Sequence, residues 1–299
     1  MTPHIIQGRG SRRFFLNNEA ALSYFIGEPI HPPQLAITTN WSSSVVANGG
    51  TLNSSTLTAI NTFWTSLQTA GLDTLMYYVN IMAPDSLIAC MTPLTSSNNQ
   101  WLSQNNNFVS ADLSVNGLLG IDSQASAGKW ILPLLSGSVF ATGNAGMSAY
   151  INYASNSAQY FIAGNDGEGS TRFGLLYPSG GNALFDCWNC CTPSIGRLTI
   201  ATAPLGMYIC TRPSSTDQAV FIGKSGSFIT GSSASGQAGI GSPPIAPIWI
   251  FGVPQNNGTF TAGTRMSFFA YHQGLTFAQS QNFFNAVQTL RTSLGGGYI

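Results

Sequence analysis

Residues 265–299 read RMSFFAYHQGLTFAQSQNFFNAVQTLRTSLGGGYI. The first eight, Arg265 to His272, are rich in aromatic residues and bracketed by Gly263 and Gly274, which predicts a short strand. A helix follows at once. Thr276 supplies an N-cap oxygen and Gln279 stands three residues on, so each can satisfy the other's orphan amide as a capping box. Phe277, Phe283, Phe284, Val287, Leu290 and Leu294 recur close to a 3.6 period, with Gln281, Asn285, Gln288 and Arg291 on the other face. Gly295 to Gly297 stop the helix, since glycine takes the left-handed C′ conformation without a Cβ penalty. One capped helix at the end of a strand-rich chain is expected to act as a lid that closes the end of a sheet assembly.

Upstream, Asn53, Ser54 and Ser55 offer caps for a helix over about residues 56–70, with Leu57, Ile60, Phe63, Trp64 and Leu67 on one apolar face and Gly71 at its end. The period then falls toward 2. Strands are expected at 75–83, 87–91, 108–113, 147–153, 159–163, 173–177, 183–188, 197–201, 207–211, 219–224, 228–230, 248–251 and 266–271. Short runs of this kind, separated by Gly, Ser, Asn and Pro, make an all-β, double-sheet antiparallel sandwich of one domain. The clearest hairpin is Val220 to Ile229, turning at Lys224-Ser225-Gly226. Residues 231–244, rich in Ser, Gly and Ala, read as a surface loop.

Two of these pieces also carry a resemblance. Gly274-Leu275-Thr276 followed by residues 283–296, together with residues 57–67, Gly71-Leu72 and Leu75-Met76, resemble concanavalin A-like or laminin-G-like jelly-roll domains of phage-encoded structural proteins. The resemblance implies a concanavalin A-like β-sandwich over 51–299, with two peripheral helices. It further implies a non-enzymatic bacteriophage virion structural protein, assembled in the host cytoplasm and displayed as capsid decoration or as a tail-fibre component. Its partners would be other virion proteins, with a host-surface glycan as a further contact in host attachment. The alternative is a polysaccharide-binding lectin or a depolymerase of the same fold.

Residues 1–50 differ in character. Arg9, Arg12, Arg13, Glu19 and Glu28 concentrate there, with Phe14-Phe15-Leu16 and Tyr24-Phe25-Ile26 between them, and His31-Pro32-Pro33 follows as a stiff linker. Such a segment is either a frayed terminus or an arm that docks on a neighbouring subunit, with Arg9, Arg12 and Arg13 pairing carboxylates and Phe14 and Phe15 as anchors.

Only 7% of the 299 residues are charged and the formal net charge is zero. A typical chain carries about a quarter. So poor a charge complement gives no basic footprint for nucleic acid and little to keep a lone monomer soluble, which points to life in an assembly as a homo-oligomer. No apolar run reaches membrane-span length, and the first residues show no apolar core of a cleaved signal. Of the five cysteines, Cys90 and Cys210 sit in apolar runs and read as small buried hydrophobes.

Candidate chemistry is sparse. Retaining glucanases of this fold use Glu-x-Asp-x-x-Glu on one strand, and this chain has no such motif among its three glutamates, Glu19, Glu28 and Glu168. Asn165-Asp166-Gly167-Glu168-Gly169 is either a turn between strands or a weak calcium loop with Asp166 and Glu168 as ligands, and no other cofactor is expected. Cys187, Cys190 and Cys191, with Cys210, allow a zinc site, a disulfide or free thiols. His4, His31 and His272 show no ligand spacing; His272, before Gln273-Gly274, reads as a turn residue. Trp101, Trp188 and Trp249 are conceivable platforms for a sugar ring, but a tryptophan in a sandwich is more often a core residue, and none of the three is assigned to a site.

Overall fold

The computed structural model describes residues 35–96, 103–120, 129–133, 135, 139–140, 143–154, 159–164, 173–177, 182–187, 197–201, 205–224, 226–235, 248–251 and 264–296. The described residues from 37 onward form one compact unit. Arg9, Arg12, Arg13, Phe14 and Phe15, expected from the sequence to dock, lie outside the described residues. The first helix among the described residues is α1 (Ala36–Ala47).

After α1 come α2 (Ser54–Thr69), β1 (Met76–Asn80), α3 (Leu87–Met91), β2 (Thr95–Ser96), β3 (Gln104–Asn106), β4 (Leu113–Ser114), β5 (Gly117–Gly120) and β6 (Trp130–Leu132). The longer strands follow: β7 (Ala145–Tyr153), β8 (Gln159–Gly164), β9 (Phe173–Tyr177), β10 (Ala183–Cys187), β11 (Leu198–Ile200), β12 (Gly206–Arg212), β13 (Gln218–Lys224), β14 (Ser227–Ala234), β15 (Trp249–Ile250) and β16 (Thr264–His272). The last element is α4 (Phe277–Ser293). Among the described residues, no helix is long and apolar enough to cross a membrane.

Among the described residues, all strand pairs are antiparallel and build two sheets, so the fold is an all-β sandwich as expected. The larger sheet runs β14-β13-β12-β7-β16-β1-β2, with β5 paired to the start of β16 and β4 to β5. The second runs β11-β10-β9-β8-β15-β6-β3. Tyr78, Met147, Tyr208, Val220 and Tyr271 from the first sheet meet Ile131, Phe173, Phe185 and Ile250 from the second in one apolar core.

The other face of the larger sheet is buried too. Phe268 of β16 stands between Phe63 of α2 and Phe283 of α4, with ring centroids 5.8 and 5.7 Å apart. Gln288 of α4 donates to the Tyr150 hydroxyl of β7 at 3.1 Å. The helices therefore form a third layer across a sheet face. They are not a lid on the sandwich end, because the apolar stripe of α4 needs a flat apolar partner along its whole length. Strands β7, β12 and β16 are accordingly buried on both faces and read as continuous apolar runs rather than as alternation. Close approach demands glycine at two places. A Cβ on Gly223 would lie 2.1 Å from the Phe284 ring, and one on Gly146 would lie 2.3 Å from the His272 ring.

Several local expectations are met. Thr276 and Gln279 form the reciprocal capping box, with Thr276 N donating to Gln279 Oε1 at 2.9 Å and Gln279 N to Thr276 Oγ1 at 3.3 Å. Gly295 ends α4 at φ +84°, and Gly226 turns the β13–β14 hairpin at φ +77°. Others are corrected. Residues 87–91 are a helix rather than a strand, because Ser86 Oγ caps Ala89 N at 3.1 Å and an apolar pentapeptide has no period to decide between the two. Residues 110–112 are a 3-10 turn in which Asp112 Oδ2 accepts from Val109 N at 2.8 Å. Strand β14 continues to Ala234, through the start of the expected surface loop.

Candidate functional site

Three groups of buried polar side chains in the described residues bear on function. The first lies between the larger sheet and α4. His272 is not a turn residue: it ends β16, fully buried, on the face opposite Tyr271. Ser148 of β7 lies 2.7 Å from its Nε2, and the Gln273 carbonyl lies 2.7 Å from its Nδ1. A carbonyl only accepts, so Nδ1 carries the proton and Nε2 accepts from the Ser148 hydroxyl. Burial pulls His272 down to about 4, against a smaller raising effect of the bond to Gln273. Serine, imidazole and an orienting oxygen thus have the spacing of a nucleophile and its base. Both side chains are nonetheless sealed, with Phe283 edge-on to the imidazole at 5.8 Å. The arrangement ties two strands together beneath the helix.

Arg291 belongs to the same layer. Its guanidinium carbon sits 3.6 Å from the Tyr150 ring centroid. It donates to Asn152 Oδ1 at 3.0 Å, to the Gly296 carbonyl at 3.1 Å and to Ser267 Oγ. Burial lowers its pKa to about 10, offset in part by Tyr150. The bulge in β16 around Ser267 turns that hydroxyl outward to meet the arginine while keeping Met266 and Phe269 in the core. This network fastens the end of α4 to β7 and β16.

The second group is inside the sandwich. Cys90, Cys187 and Cys210 are buried thiols, as expected for Cys90 and Cys210. Burial raises all three, Cys187 to about 12, so none is a ready nucleophile at neutral pH. Arg212 donates to the Cys187 carbonyl at 3.0 Å.

The third group is on the outer face of the second sheet. Phe185 and Cys187 point into the core, so alternation puts Leu184 and Asp186 outside. Asp186 accepts from Arg197 through both oxygens, with Nε to Oδ1 at 2.7 Å. Strand register places Asp186, Gly174, position 163 and Trp249 in one row across β10, β9, β8 and β15. Asp186 is 1% exposed, Trp249 and Leu184 are half-buried and Thr199 is exposed. Elsewhere, Lys129 bridges both oxygens of Asp112 at 2.5 and 2.6 Å.

Of the described sequence candidates, Cys187 and Cys210 come close together in the sandwich core, while His272 lies under α4. Asp166, Glu168, Cys190, Cys191, Trp101 and Trp188 lie outside the described residues. Among the described residues, no three His, Cys, Asp or Glu side chains cluster as a metal site. Ser148 and the Asp186–Arg197 pair escaped the sequence reading. Serine is too common to single out, and a pair eleven residues apart on neighbouring strands has no linear signature.

No protein-family model matches the chain, and no curated protein matches it. Among solved structures, the binding domain of botulinum neurotoxin serotype D is 10% identical, with a TM-score of 0.48 over 72% of this chain and 52% of that one. A Trypanosoma rangeli sialidase holding 2,3-difluorosialic acid as a covalent intermediate is 14% identical, with a TM-score of 0.40 over 57% of this chain and 27% of that one. The chain thus spans about half of the toxin domain and about a quarter of the sialidase. Likeness of this degree reaches neither a site residue nor an activity.

Proposed function

We propose that this protein is a non-enzymatic binding module that holds a glycan on the outer face of its second sheet, as part of a surface assembly such as a virion exterior. The row on that face carries the reading. Trp249 offers an apolar ring, Gly174 in the same row adds no side chain, and Thr199 with the partly exposed Arg197, held in place by Asp186, provides polar groups along the same sheet. Saccharide sites combine an aromatic platform with a few fixed polar groups in this way. The groups that resemble catalytic machinery, Ser148 and His272, are committed to each other under α4. The assembly part of the reading rests on the scarcity of charge, which suits a surface built to be covered.

The test is binding of the purified chain to bacterial surface polysaccharides, with the bound glycan then sized. Retention of intact glycan is expected, with Trp249→Ala weakening it about tenfold while Trp249→Phe, which keeps a ring, retains most of it. Cleaved glycan would make the protein an enzyme. Binding indifferent to Trp249→Ala would remove the site from this face.

A further inference from the structure

We infer that the glycan held on the outer face of the second sheet is an uncharged oligosaccharide, a chain of neutral sugars lying across the strands. This deepens the glycan reading and rests on it. The seven strands of that sheet read QNN, WIL, QYFIAG, FGLLY, ALFDC, LTI and WI, and they contain a single charged residue, Asp186. Its carboxylate is already matched. Both oxygens accept from the Arg197 guanidinium, and the side chains are only 1% exposed for Asp186 and 12% for Arg197. Among the described residues, the cations next to these strands are Arg197, just before β11, and Lys129, just before β6. Lys129 is likewise held by both oxygens of Asp112.

The Asp186–Arg197 pair decides which sugars the face accepts. A carboxylate or sulfate on the ligand needs a cation to offset the loss of its hydration. Taking Arg197 for that purpose would leave Asp186 buried with its charge uncompensated, which is the costly way to break an ion pair. Leaving the pair intact would set the ligand's charge beside a second carboxylate on a sheet with no net charge of its own. A sugar hydroxyl meets neither obstacle, because it is neutral and both donates and accepts. The pair thus orients a polyhydroxyl chain and rejects an anionic one, a specificity set as much by what it excludes as by what it holds.

The row also sets the extent of the ligand. Asp186 on β10 and Trp249 on β15 are three strand spacings apart, about 14 Å, with Gly174 between them. A single ring stacked on Trp249 does not reach the ion pair, whereas a short chain does, crossing the strands over the glycine. Affinity then comes from stacking and from hydrogen bonds to neutral groups, and no counterions are released when the chain binds. Salt should therefore leave it almost unchanged.

The experiment is calorimetric titration of the full chain with neutral glycans (a glucan, a galactan, a mannan) and acidic ones (a polyuronate, a polysialic acid), at about 20 and about 500 mM sodium chloride. A neutral oligosaccharide is expected to bind with an affinity that salt changes by less than about twofold. Its monosaccharide and the acidic glycans are each expected to bind about tenfold more weakly or worse, and Trp249→Ala to weaken the neutral chain about tenfold. The salt, length and charge comparisons all use the wild type, so they stand whatever Trp249→Ala does to folding. An acidic glycan bound more tightly than every neutral one, through Trp249 and weakened by salt, overturns this proposal and leaves the glycan reading in place. A monosaccharide that binds as well as its oligomer also overturns it. Binding of none of these glycans overturns both.

Discussion

Replacing Phe283 by alanine is expected to destabilise the fold by about 3–5 kcal/mol, the range for truncating a fully buried aromatic side chain. Phe283 is buried completely in α4, edge-on to Phe268 of β16 and to His272. Its loss removes contact area and leaves a void between rigid layers that cannot collapse, because β16 is fixed by its neighbours on both edges. Phe277, on the same helix, is the control. It is 45% exposed and its alanine variant should cost about 1 kcal/mol or less. Urea unfolding curves measure both. Equal, small losses at the two positions would mean that α4 rests loosely on the sheet.

Acid is expected to produce the second large effect, through His272. Above pH 6.5 the imidazole is neutral in the folded and the unfolded chain, and there is no contribution. Below it, the unfolded chain takes up a proton that the folded chain refuses until about pH 4. The folded state therefore loses stability as pH falls through that window, by about 1.4 kcal/mol per unit and about 3 kcal/mol in all. Stability measured from pH 7 to pH 4 should show the slope, and His272→Gln should flatten it. A slope unchanged in that variant would place the responsible group elsewhere.

What the sequence made legible was local. The Thr276–Gln279 capping box, the glycine stop at Gly295 and the turn at Gly226 depend on residues a few positions apart, and each was readable. Helix α1 was not. Its twelve residues, AITTNWSSSVVA, contain few strong helix formers, and it is held by tertiary bonds: Trp41 Nε1 donates to the Thr92 carbonyl at 3.0 Å, and Thr38 Oγ1 to Asn61 Oδ1 at 2.8 Å. Layering was only half legible. The apolar face of α4 announced that the helix would be covered, but continuous apolar strands such as β7 do not say which face meets a helix and which a sheet. The same gap hid the role of His272. Its partner Ser148 is 124 residues away, and a residue at the end of a strand before a glycine reads as a turn until the neighbouring strand is in place.

The account rests on α4 being a fixed layer of the fold, so that Ser148 and His272 join strands instead of meeting a substrate. Native-state hydrogen exchange tests this most directly. If α4 is integral, the amides of Phe283 to Leu290 should exchange only through global unfolding, with the same free energy as the central amides of β7 and β16. Exchange of those helix amides at a much lower free energy, while β7 and β16 stay protected, would show the helix lifting off the sheet, and the buried serine and histidine would then be a site after all.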